Sequence, residues 1–591
     1  MTLSPGILVV LAAQLLHAQV NVLTWHNDNA RTGQNLEEKI LTPANVNSTQ
    51  FGKLFTLAVD GKVDAQPLYV SSLLIANAFH DVLYVATEHA SVYAFDADTS
   101  VLLWEVSLLG ANEIPSDDRS CSQIVPEIGI TSTPVIDLAM GPHGTIYIVA
   151  MSLTNDTASY HQRLHALDLS TGAEQAGSPV DITATYPGNG AEGSAGTQRF
   201  NPGQHEDRAA LLLANGVIYT SWSSHCDIAP YTGWIIGYNE STLAQTNVLN
   251  LTPNGNDGGI WMAGAGPAAD AAGNVYLLTG NGTFDTTLAS GFPQNGDYGN
   301  AFVKIQVSPA GGLSVADYYT MTNTTSESNA DQDLGSGGLM LVPSHPLAVG
   351  AGKDQNIYVV NRNNMGKYNP NADEIYQFMN SPLAGSVYSS PAWFDETLYY
   401  GAVGDSLRAF PFANGAFASN PSSRSAHAFG SPGATPSISA NGRTNAILWA
   451  AENTSPAVLH AYDATNLSTE LYNSNQAANG RDQFGTGNKF IVPTIANGKV
   501  YVGTTNGVGV FGLLCSYSIT PDRAEIPASG GSGRISVTAS AGCAWSASTP
   551  VPWITLSRSG STLTYAVPAT QGPERRALIS IEGKQFEIVQ K

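Results

Sequence analysis

The feature that most constrains the fold is a short motif that recurs along most of the chain. An apolar pair, an aromatic residue and small or β-branched residues form eight copies, whose aromatic residues are Tyr84, Tyr147, Tyr219, Tyr276, Tyr358, Tyr399, Trp449 and Tyr501. A proline-containing strand such as "TSTPVID" precedes most copies, and a strand with an Asp/Asn-rich turn such as "SVYAFDADTSVLLW" follows them. Each repeat therefore predicts a four-stranded antiparallel sheet.

Repeats spaced roughly 40 to 80 residues apart are typical of a β-propeller, whose blades nominally take about 40–50 residues. One such sheet cannot bury both of its faces, so we expect eight blades to stack in a ring. The last copy, residues 490–512, lacks an outer strand, and "FGKLFTLAVD" near the N-terminus is a spare strand that would complete it. The prediction is an all-β, eight-bladed propeller over residues 19–512; a sandwich of similar composition does not account for eight copies in one internal order.

The composition changes after residue 512. From Cys515 onward, short alternating strands separated by Gly, Ser and Pro turns predict a small, separate immunoglobulin-like β-sandwich at residues 513–591. The stretches "GCAW", "PWITL" and "LISIEGKQFEIVQ" resemble a BACON domain, a resemblance that implies a binding module for carbohydrate or mucin-like polymers. Trp545 and Trp553 would then be candidates for stacking on sugar rings, although buried core positions are the favoured interpretation for both.

The N-terminus indicates export. Ile7 to Leu16 is an apolar run too short to span a bilayer, and it fits a signal peptide at residues 1–18 that is cut after Ala18, although no Lys or Arg precedes it. A buried first strand is the alternative. No other stretch of the sequence predicts a transmembrane helix, so we expect a secreted, periplasmic or cell-surface protein.

Four cysteines suit an exported protein, and four cysteines allow three pairings. We favour Cys515–Cys543, within the last segment, and Cys121–Cys226, which would join two long loops; free buried thiols are the alternative. No Cys/His cluster has zinc-type spacing, so we expect no zinc. The formal charge of −22 argues against nucleic acid as a partner, because phosphate binding needs clustered Lys and Arg.

Several residues follow the pattern of a known cofactor site. "AFDADTSVLLW" resembles the blade repeat of pyrroloquinoline quinone (PQQ)-type propellers, and four further stretches match quinoprotein alcohol dehydrogenases in order. The resemblance implies that Trp261 in "GGIW" is the floor under a flat quinone and that Asn281 in "LTGNG" binds calcium. It implies a general base in "NADQDLGSGG", with Asp333 as first choice and Asp331 as second, and a quinone contact at Lys353.

The chemistry of such enzymes requires these residue types. Calcium takes oxygen ligands and acts as a Lewis acid on a quinone carbonyl, and a carboxylate removes the hydroxyl proton of an alcohol. The sequence departs from the family in three ways: no two cysteines are adjacent, no CxxCH haem motif occurs, and the glutamate calcium ligand is replaced by Asp227 in a loose alignment. We therefore expect no haem and an external electron acceptor.

Two polar stretches have no assigned role in this scheme. "WHNDNARTGQN" contains His26, Asp28 and Arg31, and we expect it to lie across one face of the propeller. "QHEDR" supplies His205, Glu206 and Asp207, which either bind a cation or satisfy one another.

Two functions remain open at this stage. The first is a PQQ- and calcium-dependent dehydrogenase that oxidises a small alcohol or sugar. The second is a non-catalytic propeller that binds glycan or protein at the cell surface, with the C-terminal module adding a second attachment point. The missing disulfide cap and haem favour the second function, and the ordered Trp, Asn, Asp and Lys residues favour the first.

Overall fold

A computed structural model describes residues 20–307, 312–515, 517–540, 543, 545–582 and 584–591. The predicted signal peptide, residues 1–18, lies outside the described residues. The described chain is almost entirely β, and its helical segments are one α-helix, Thr324–Asn329, and three short 3₁₀ helices, Met262–Gly264, Leu334–Ser336 and Ala478–Gly480. Within these ranges no helix has the length and apolar character needed to cross a membrane.

Eight sheets of four or five strands contain most of the strands between residues 34 and 513. We number them 1 to 8. Sheet 1 contains Leu68–Ile75, Ala78–Ala86, Ser91–Asp96 and Leu102–Ser107. Sheet 2 contains Glu113–Pro115, Val135–Asp137, Thr145–Thr154, Tyr160–Asp168 and Val180–Asp181. Sheet 3 contains His205–Glu206, Leu212–Ala214, Val217–Ser224, Trp234–Asn239 and Gln245–Asn250. Sheet 4 contains Ala268–Ala269, Val275–Leu278, Phe302–Val307 and Leu313–Tyr319.

The second half of this region repeats the arrangement. Sheet 5 contains Leu339–Leu341, Leu347–Ala351, Ile357–Asn361 and Gln377–Met379. Sheet 6 contains Ala392–Phe394, Thr397–Tyr400, Asp405–Ala413, Ala416–Phe417 and Ser423–Phe429. Sheet 7 contains Gln34–Asn35, Ser437–Asn441, Thr444–Glu452, Val458–Asp463 and Glu470–Asn473. Sheet 8 contains Phe51–Ala58, Thr494–Ala496, Lys499–Gly503 and Gly507–Leu513. Two small sheets lie in loops and contain Thr185–Pro187, Gly193–Ser194 and Thr197–Arg199, and Leu288–Ala289 and Phe292–Pro293.

The repeated aromatic residue is a core residue in every sheet. Each of the eight is at most 2% exposed and lies in a central strand. Some of the tyrosines also join neighbouring sheets: the hydroxyl of Tyr84 donates to Leu169 O at 2.8 Å and that of Tyr147 donates to Glu240 O at 2.8 Å. A tyrosine at this position thus packs its ring in one sheet and hydrogen-bonds to a turn of the next.

The sheets pack in sequence order and return to the first. Shared clusters of buried side chains join sheets 2 and 3, sheets 3 to 5, sheets 5 and 6, sheets 6 and 7, and sheets 7 and 8. A further cluster contains residues of sheets 8, 1 and 2. The predicted spare strand is confirmed, because Phe51–Ala58 pairs antiparallel with Gly507–Leu513 and completes sheet 8.

The polar segment after the described N-terminus contacts every sheet in turn. We call residues 22–35 the strap. It hydrogen-bonds with one residue of the innermost strand of each of sheets 1 to 8, and these residues are Tyr69, Ile136, Leu213, Ala269, Leu341, Trp393, Ile438 and Ile495. His26 and Arg31 are completely buried in it. The strap therefore holds the eight innermost strands together at one level of the ring.

The C-terminal segment forms two further four-stranded sheets. One contains Tyr517–Thr520, Gly531–Ala539, Thr555–Ser559 and Thr562–Val567, and the other contains Arg523–Ile526, Ala547–Ser548, Arg575–Ile581 and Lys584–Gln590. They enclose a core of their own that includes Trp545, which is 6% exposed. The guanidinium of Arg558 covers the Trp545 ring and that of Arg575 covers the half-buried Trp553. A buried core position, the favoured interpretation, is thus observed for Trp545, whereas Trp553 is only partly buried and packs against that core.

Both predicted disulfides are present, Cys121–Cys226 and Cys515–Cys543, with Cα atoms 5.6 and 5.7 Å apart. The second lies within the C-terminal unit, and the first joins two loops of the ring.

Candidate functional site

A cavity of about 280 Å³ lies where the chain enters the innermost strands. Four of its lining residues, Arg208, Ser336, Tyr388 and Phe490, each stand five residues before the strap contact of their own sheet. Equivalent positions of sheets 3, 5, 6 and 8 therefore converge on one space. The cavity therefore lies next to the inner strands that the strap contacts.

The cavity brings together four of the residues that the sequence predicts. Asp227, Trp261, Asp333 and Lys353 all line it, although they come from separate loops. Asn281 lines a neighbouring cavity, and Asp331 has a side chain that is 65% exposed. Both nevertheless contact the residues of the first cavity, as described below.

Two glycine-rich turns pack backbone against backbone to place these side chains. Gly280 N donates to Gly259 O at 2.8 Å, and Gly258 N donates to Asn281 O at 2.8 Å. A Cβ atom on Gly280 would lie 2.7 Å from Trp261 Cδ1 and 3.2 Å from Asp333 Oδ1. The glycine is thus required for the indole and the carboxylate to approach each other.

Asp333 and Lys353 form the polar centre of the cavity. Lys353 Nζ lies 2.7 Å from Asp333 Oδ2 and 2.5 Å from Asp331 Oδ1, and the backbone N–H of Asn281 donates to Asp333 Oδ1. Asp333 is 4% exposed. Burial raises the pKa of the Asp333 carboxyl, although the ammonium of Lys353 opposes the shift. Burial alone would lower the pKa of Lys353, but Asp333 and Asp331 outweigh it and raise that pKa.

Asp227 is held by a disulfide and a tyrosine. It follows Cys226, whose partner Cys121 stands two residues before Gln123, another lining residue. The Tyr231 hydroxyl donates to Asp227 Oδ1 at 2.7 Å, and the same ring lies edge-on to Trp261 at a centroid distance of 6.3 Å. The disulfide therefore fixes two loops of the cavity wall at once, although it is not the vicinal disulfide of the quinoprotein family.

The site contains several oxygen atoms that could ligate a metal ion. Burial, then the neighbouring Asp227, raises the pKa of Asp257 to about 6. The amide nitrogen of Asn281 donates to Asp331 Oδ1 at 3.1 Å, whereas its Oδ1 atom is buried and has no hydrogen-bond partner among the described residues. Closely spaced carboxylates and an unpartnered amide oxygen form a donor set that suits a hard divalent cation.

Part of the cavity wall is cationic, and no motif in the sequence predicts it. Arg208 is 5% exposed, donates to Gln123 Oε1 at 2.5 Å and lies 4.4 Å from the ring centroid of Phe490. Lys489 lies beside it, and burial followed by repulsion from Arg208 lowers the pKa of Lys489. Their positions in the repeats could have identified these residues, because they precede the innermost strand of each repeat by about the same number of residues.

The "QHEDR" stretch does not satisfy itself. His205 contacts Glu192 Oε1 at 2.7 Å and Ser223 O at 3.0 Å. Glu206 and Asp207 are buried, and burial raises the pKa of Glu206 to about 7 and that of Asp207 to about 8. Each keeps one carboxylate oxygen without a hydrogen-bond partner in the described part of the chain. Of the two alternatives, mutual satisfaction is therefore wrong, because His205 pairs with Glu192 and Ser223 instead of with Glu206 or Asp207.

Comparison with solved structures finds this fold in quinoprotein enzymes. A quinohemoprotein alcohol dehydrogenase from Comamonas testosteroni has a TM-score of 0.56 at 14% identity, over 83% of this chain and 80% of its own. Quinohemoprotein alcohol dehydrogenase ADHIIG from Pseudomonas putida HK5 has a TM-score of 0.54 at 13% identity, with the same coverage of both chains. A europium-containing methanol dehydrogenase has a TM-score of 0.51 at 12% identity, over 82% of this chain and 90% of its own.

At such identities the likeness shows the propeller fold alone. No protein-family model matches the sequence, and no curated protein matches it.

Proposed function

We propose that this chain is an exported quinoprotein-type dehydrogenase that oxidises a small alcohol or sugar in the cavity of its eight-bladed propeller. The observation that carries the proposal is the convergence of Asp227, Trp261, Asp333 and Lys353 on one cavity. The order of motifs in the sequence predicts these residues, which lie up to 126 positions apart and come from separate loops. The ring of sheets, closed by the strap and by Phe51–Ala58, supports the count of eight blades.

The donor set fits calcium. Asp227 contributes a carboxylate, and the unpartnered Asn281 Oδ1 contributes a neutral oxygen. The raised pKa of Asp257 reflects burial and repulsion from Asp227 that a bound cation would reduce. Asp227 and Asn281 are therefore the residues that would hold the ion, and Asp333 is left for the role of base.

The cavity also fits a flat, anionic quinone. Trp261 offers an aromatic wall, and Arg208, Lys353 and Lys489 place three cationic side chains around the same space. PQQ is a planar tricyclic quinone with three carboxylates, so these cations match its charge. When bound together, the quinone would accept the hydride equivalent of the alcohol and calcium would act as a Lewis acid on a quinone carbonyl.

The residues of the chain have separate roles in this scheme. Asp333 accepts the hydroxyl proton of the substrate, since its buried carboxylate lines the cavity and its raised pKa makes it a better base. Lys353 holds Asp333 in place through the 2.7 Å ion pair. Asp331, the second choice, is largely exposed and is a partner of Lys353 and Asn281. With no CxxCH motif in the sequence, an external acceptor takes the electrons.

Calorimetric titration tests cofactor binding. PQQ is titrated into the mature protein with saturating calcium, and into Trp261→Ala and Trp553→Ala variants. We expect micromolar or tighter binding by the wild type, loss of at least tenfold in affinity for Trp261→Ala, and no change for Trp553→Ala, because Trp553 lies in the C-terminal unit. Absence of binding to the wild type would overturn the proposal and leave a propeller that binds glycan or protein.

Turnover with an artificial acceptor tests the base. Asp333→Asn should lower kcat by about 10²-fold or more at saturating calcium and quinone, since general bases contribute on that scale. Asp331→Asn is the matched control and should retain most of the turnover. Equal activity of Asp333→Asn and wild type would remove Asp333 from the role of base.

A further inference from the structure

Two histidines and a glutamate meet at the boundary between sheets 6 and 7, away from the residues assigned above. His460 Nε2 lies 2.6 Å from Glu452 Oε1, and His427 Nε2 lies 2.9 Å from the same oxygen. We call His427, Glu452 and His460 the His–Glu cluster. One ligand atom of each lies within 4.8 Å of the others. Three side chains from three strands thus point at a single position.

The hydrogen bonding of the cluster is incomplete. His427 Nε2 is buried and makes no hydrogen bond among the described residues, although it is close to Glu452 Oε1. The two imidazole rings stack at 4.8 Å with an interplanar angle of 21°. A nitrogen that approaches a carboxylate oxygen without hydrogen-bond geometry is better placed to share a cation with it than to donate to it.

His460 has a carboxylate at each ring nitrogen. Its Nδ1 lies 2.7 Å from Glu470 Oε1, while its Nε2 faces Glu452. A neutral imidazole has one N–H, so if Nδ1 donates to Glu470, the lone pair of Nε2 points at the oxygen of Glu452. Either a second proton or a metal ion relieves this contact. A carboxylate behind a ligating histidine is also the usual outer partner of a metal site, because it fixes the tautomer and orients the ring.

The fold holds the cluster rigidly. His460 is 4% exposed and lies in the strand Val458–Asp463, and Glu452 ends the neighbouring strand Thr444–Glu452. His427 comes from Ser423–Phe429 of sheet 6, and its side chain is 39% exposed. Phe429 packs against both histidines, at 5.0 and 5.3 Å. The His427 side chain is thus the part of the cluster that reaches solvent, although its Nε2 atom is buried.

We propose that His427, Glu452 and His460 bind a divalent transition-metal ion of the zinc type, with water as the fourth ligand. Two imidazole nitrogens and one carboxylate oxygen match the ligand preference of zinc, and they do not match calcium, which takes oxygen ligands. Small side-chain rotations would open the 2.6 and 2.9 Å contacts to the spacing of ligands around one ion. No local spacing announces this group in the sequence, because sheet packing brings His427 and His460 together.

The metal joins two sheets beside the cavity. Ser431 and Pro432, which line the cavity, follow directly after the strand that carries His427. Asn453, next to Glu452, donates to Ser431 O at 3.5 Å. The bound ion therefore fastens sheet 6 to sheet 7 at the base of one cavity wall.

Calorimetric titration of zinc into the chelator-treated full-length mature protein, in saturating calcium, tests the site. We expect one zinc ion per chain with micromolar or tighter affinity and a rise in Tm on zinc addition. His427→Ala should weaken binding at least tenfold and remove the rise in Tm, and Glu452→Gln should also weaken it. His345→Ala is the matched control, since His345 forms a 2.8 Å pair with Glu396 elsewhere, and it should bind zinc as the wild type does.

Cobalt substitution gives an independent readout. A four-coordinate site loaded with Co²⁺ shows intense visible absorption, which the His427→Ala protein should lack. His427 is partly exposed, so this variant is expected to fold, and circular dichroism without metal checks that. Wild-type protein that binds no zinc at micromolar concentrations, or zinc binding that His427→Ala leaves unchanged, would overturn the proposal. Neither outcome depends on whether the central cavity binds a quinone.

Discussion

Gly280 sets the spacing between two side chains of the central cavity. The backbone of Gly280 is outside the left-handed region, so alanine can adopt its conformation, and the cost of the substitution is steric. The added methyl group would lie 2.7 Å from Trp261 Cδ1. We expect Gly280→Ala to lower the free energy of unfolding by about 1–3 kcal/mol, the usual range for overpacking, because the indole or the turn must move. Urea denaturation measures the change.

Gly430 provides the matched control for Gly280. It also lies near the cavity, before Ser431, and a Cβ atom there would have no described atom within 4 Å. Gly430→Ala should change the free energy of unfolding by no more than about 0.5 kcal/mol. If both variants were equally stable, the close packing of Gly280 against Trp261 would be refuted. A quinone titration of the same pair would then report whether that spacing matters for binding.

Glu113 links the stability of sheet 2 to pH. Arg163 donates to both of its oxygens, at 2.7 and 2.8 Å, and Ser152 donates at 2.8 Å. The hydrogen bonds from Arg163 are the main cause that lowers the pKa of Glu113 to about 2, from 4.5. A lowered folded-state pKa stabilises the protein above pH 4.5, and this stabilisation is lost as the pH falls from 4.5 towards 2.

Glu113→Gln should therefore flatten the acid side of the stability profile. The variant is expected to have a lower Tm than the wild type at pH 7 and a smaller loss of Tm between pH 5 and pH 3, because Gln does not titrate. Glu37→Gln is the control, since Glu37 is 60% exposed and its contact with Lys39 is 3.5 Å. Parallel pH profiles for wild type and Glu113→Gln would contradict the assignment.

The strap is the element that closes the inner end of the ring, and Arg31 is its anchor. The guanidinium donates to Pro267 O at 2.9 Å, Leu211 O at 3.1 Å, Trp25 O at 3.0 Å and Thr24 Oγ1 at 2.8 Å. Burial lowers the pKa of Arg31 to about 10, so the side chain stays cationic at neutral pH. Sheets 3 and 4 thus share one buried cation with the strap.

Arg31→Met keeps the length of the side chain and removes these donors. Buried carbonyl groups would lose their partners, and Asp28 would lose its nearest cation. We expect a loss of about 3–5 kcal/mol in the free energy of unfolding, the usual cost of removing one member of a buried charged group. Lys39→Met, which changes a side chain that is 51% exposed, should have an effect within about 0.5 kcal/mol. A near-neutral effect of Arg31→Met would mean that the strap is not required for ring stability.

At the element scale, the sequence predicts strands better than it predicts the strap. A buried aromatic residue in a strand leaves a periodic pattern, and all eight repeated aromatics are core residues, as expected. The strap uses mainly backbone hydrogen bonds, which any residue can make, so its contacts with eight sheets leave no pattern. Arg208 and Phe490 are likewise not predicted from a motif. They meet in the cavity because each stands the same number of residues before the inner strand of its own sheet. Trp261 and Asp333 could be predicted from the sequence, because the stretches that contain them follow the order of motifs in a known family.

At the scale of the whole molecule, the N-terminal part of the chain completes the end of the ring. Gln34–Asn35 joins sheet 7 in parallel with Ser437–Asn441, and Phe51–Ala58 joins sheet 8. These pairings join residues about 400 to 460 positions apart in the sequence. The ring therefore becomes complete only when its first and last segments meet, and both the cavity and the cluster at sheets 6 and 7 depend on that closure.

The C-terminal unit is the part of the molecule that closure does not require. Its buried side chains form one cluster with residues 526 to 588, and no residue of that cluster belongs to the clusters of the ring. Leu514 donates to Gln50 O at 2.7 Å, so a chain that ends at Leu514 keeps sheet 8 intact. Such a chain also loses both members of Cys515–Cys543 and leaves Cys121–Cys226 in place.

Differential scanning calorimetry of the full mature chain and of the chain ending at Leu514 tests this independence. Because the two cores share no side chain, we expect the Tm of the main unfolding transition to change by no more than about 2 °C in the truncated protein. The smaller transition should be lost, and the total unfolding enthalpy should fall in proportion to the length of chain removed. Quinone and zinc affinities should be unchanged, since every proposed ligand lies before residue 490. Retention on mucin-type polymer should fall if the C-terminal unit is the attachment module that its sequence resembles. A large drop in the main transition would instead show that the unit stabilises the ring, and the two would have to be treated as one cooperative structure.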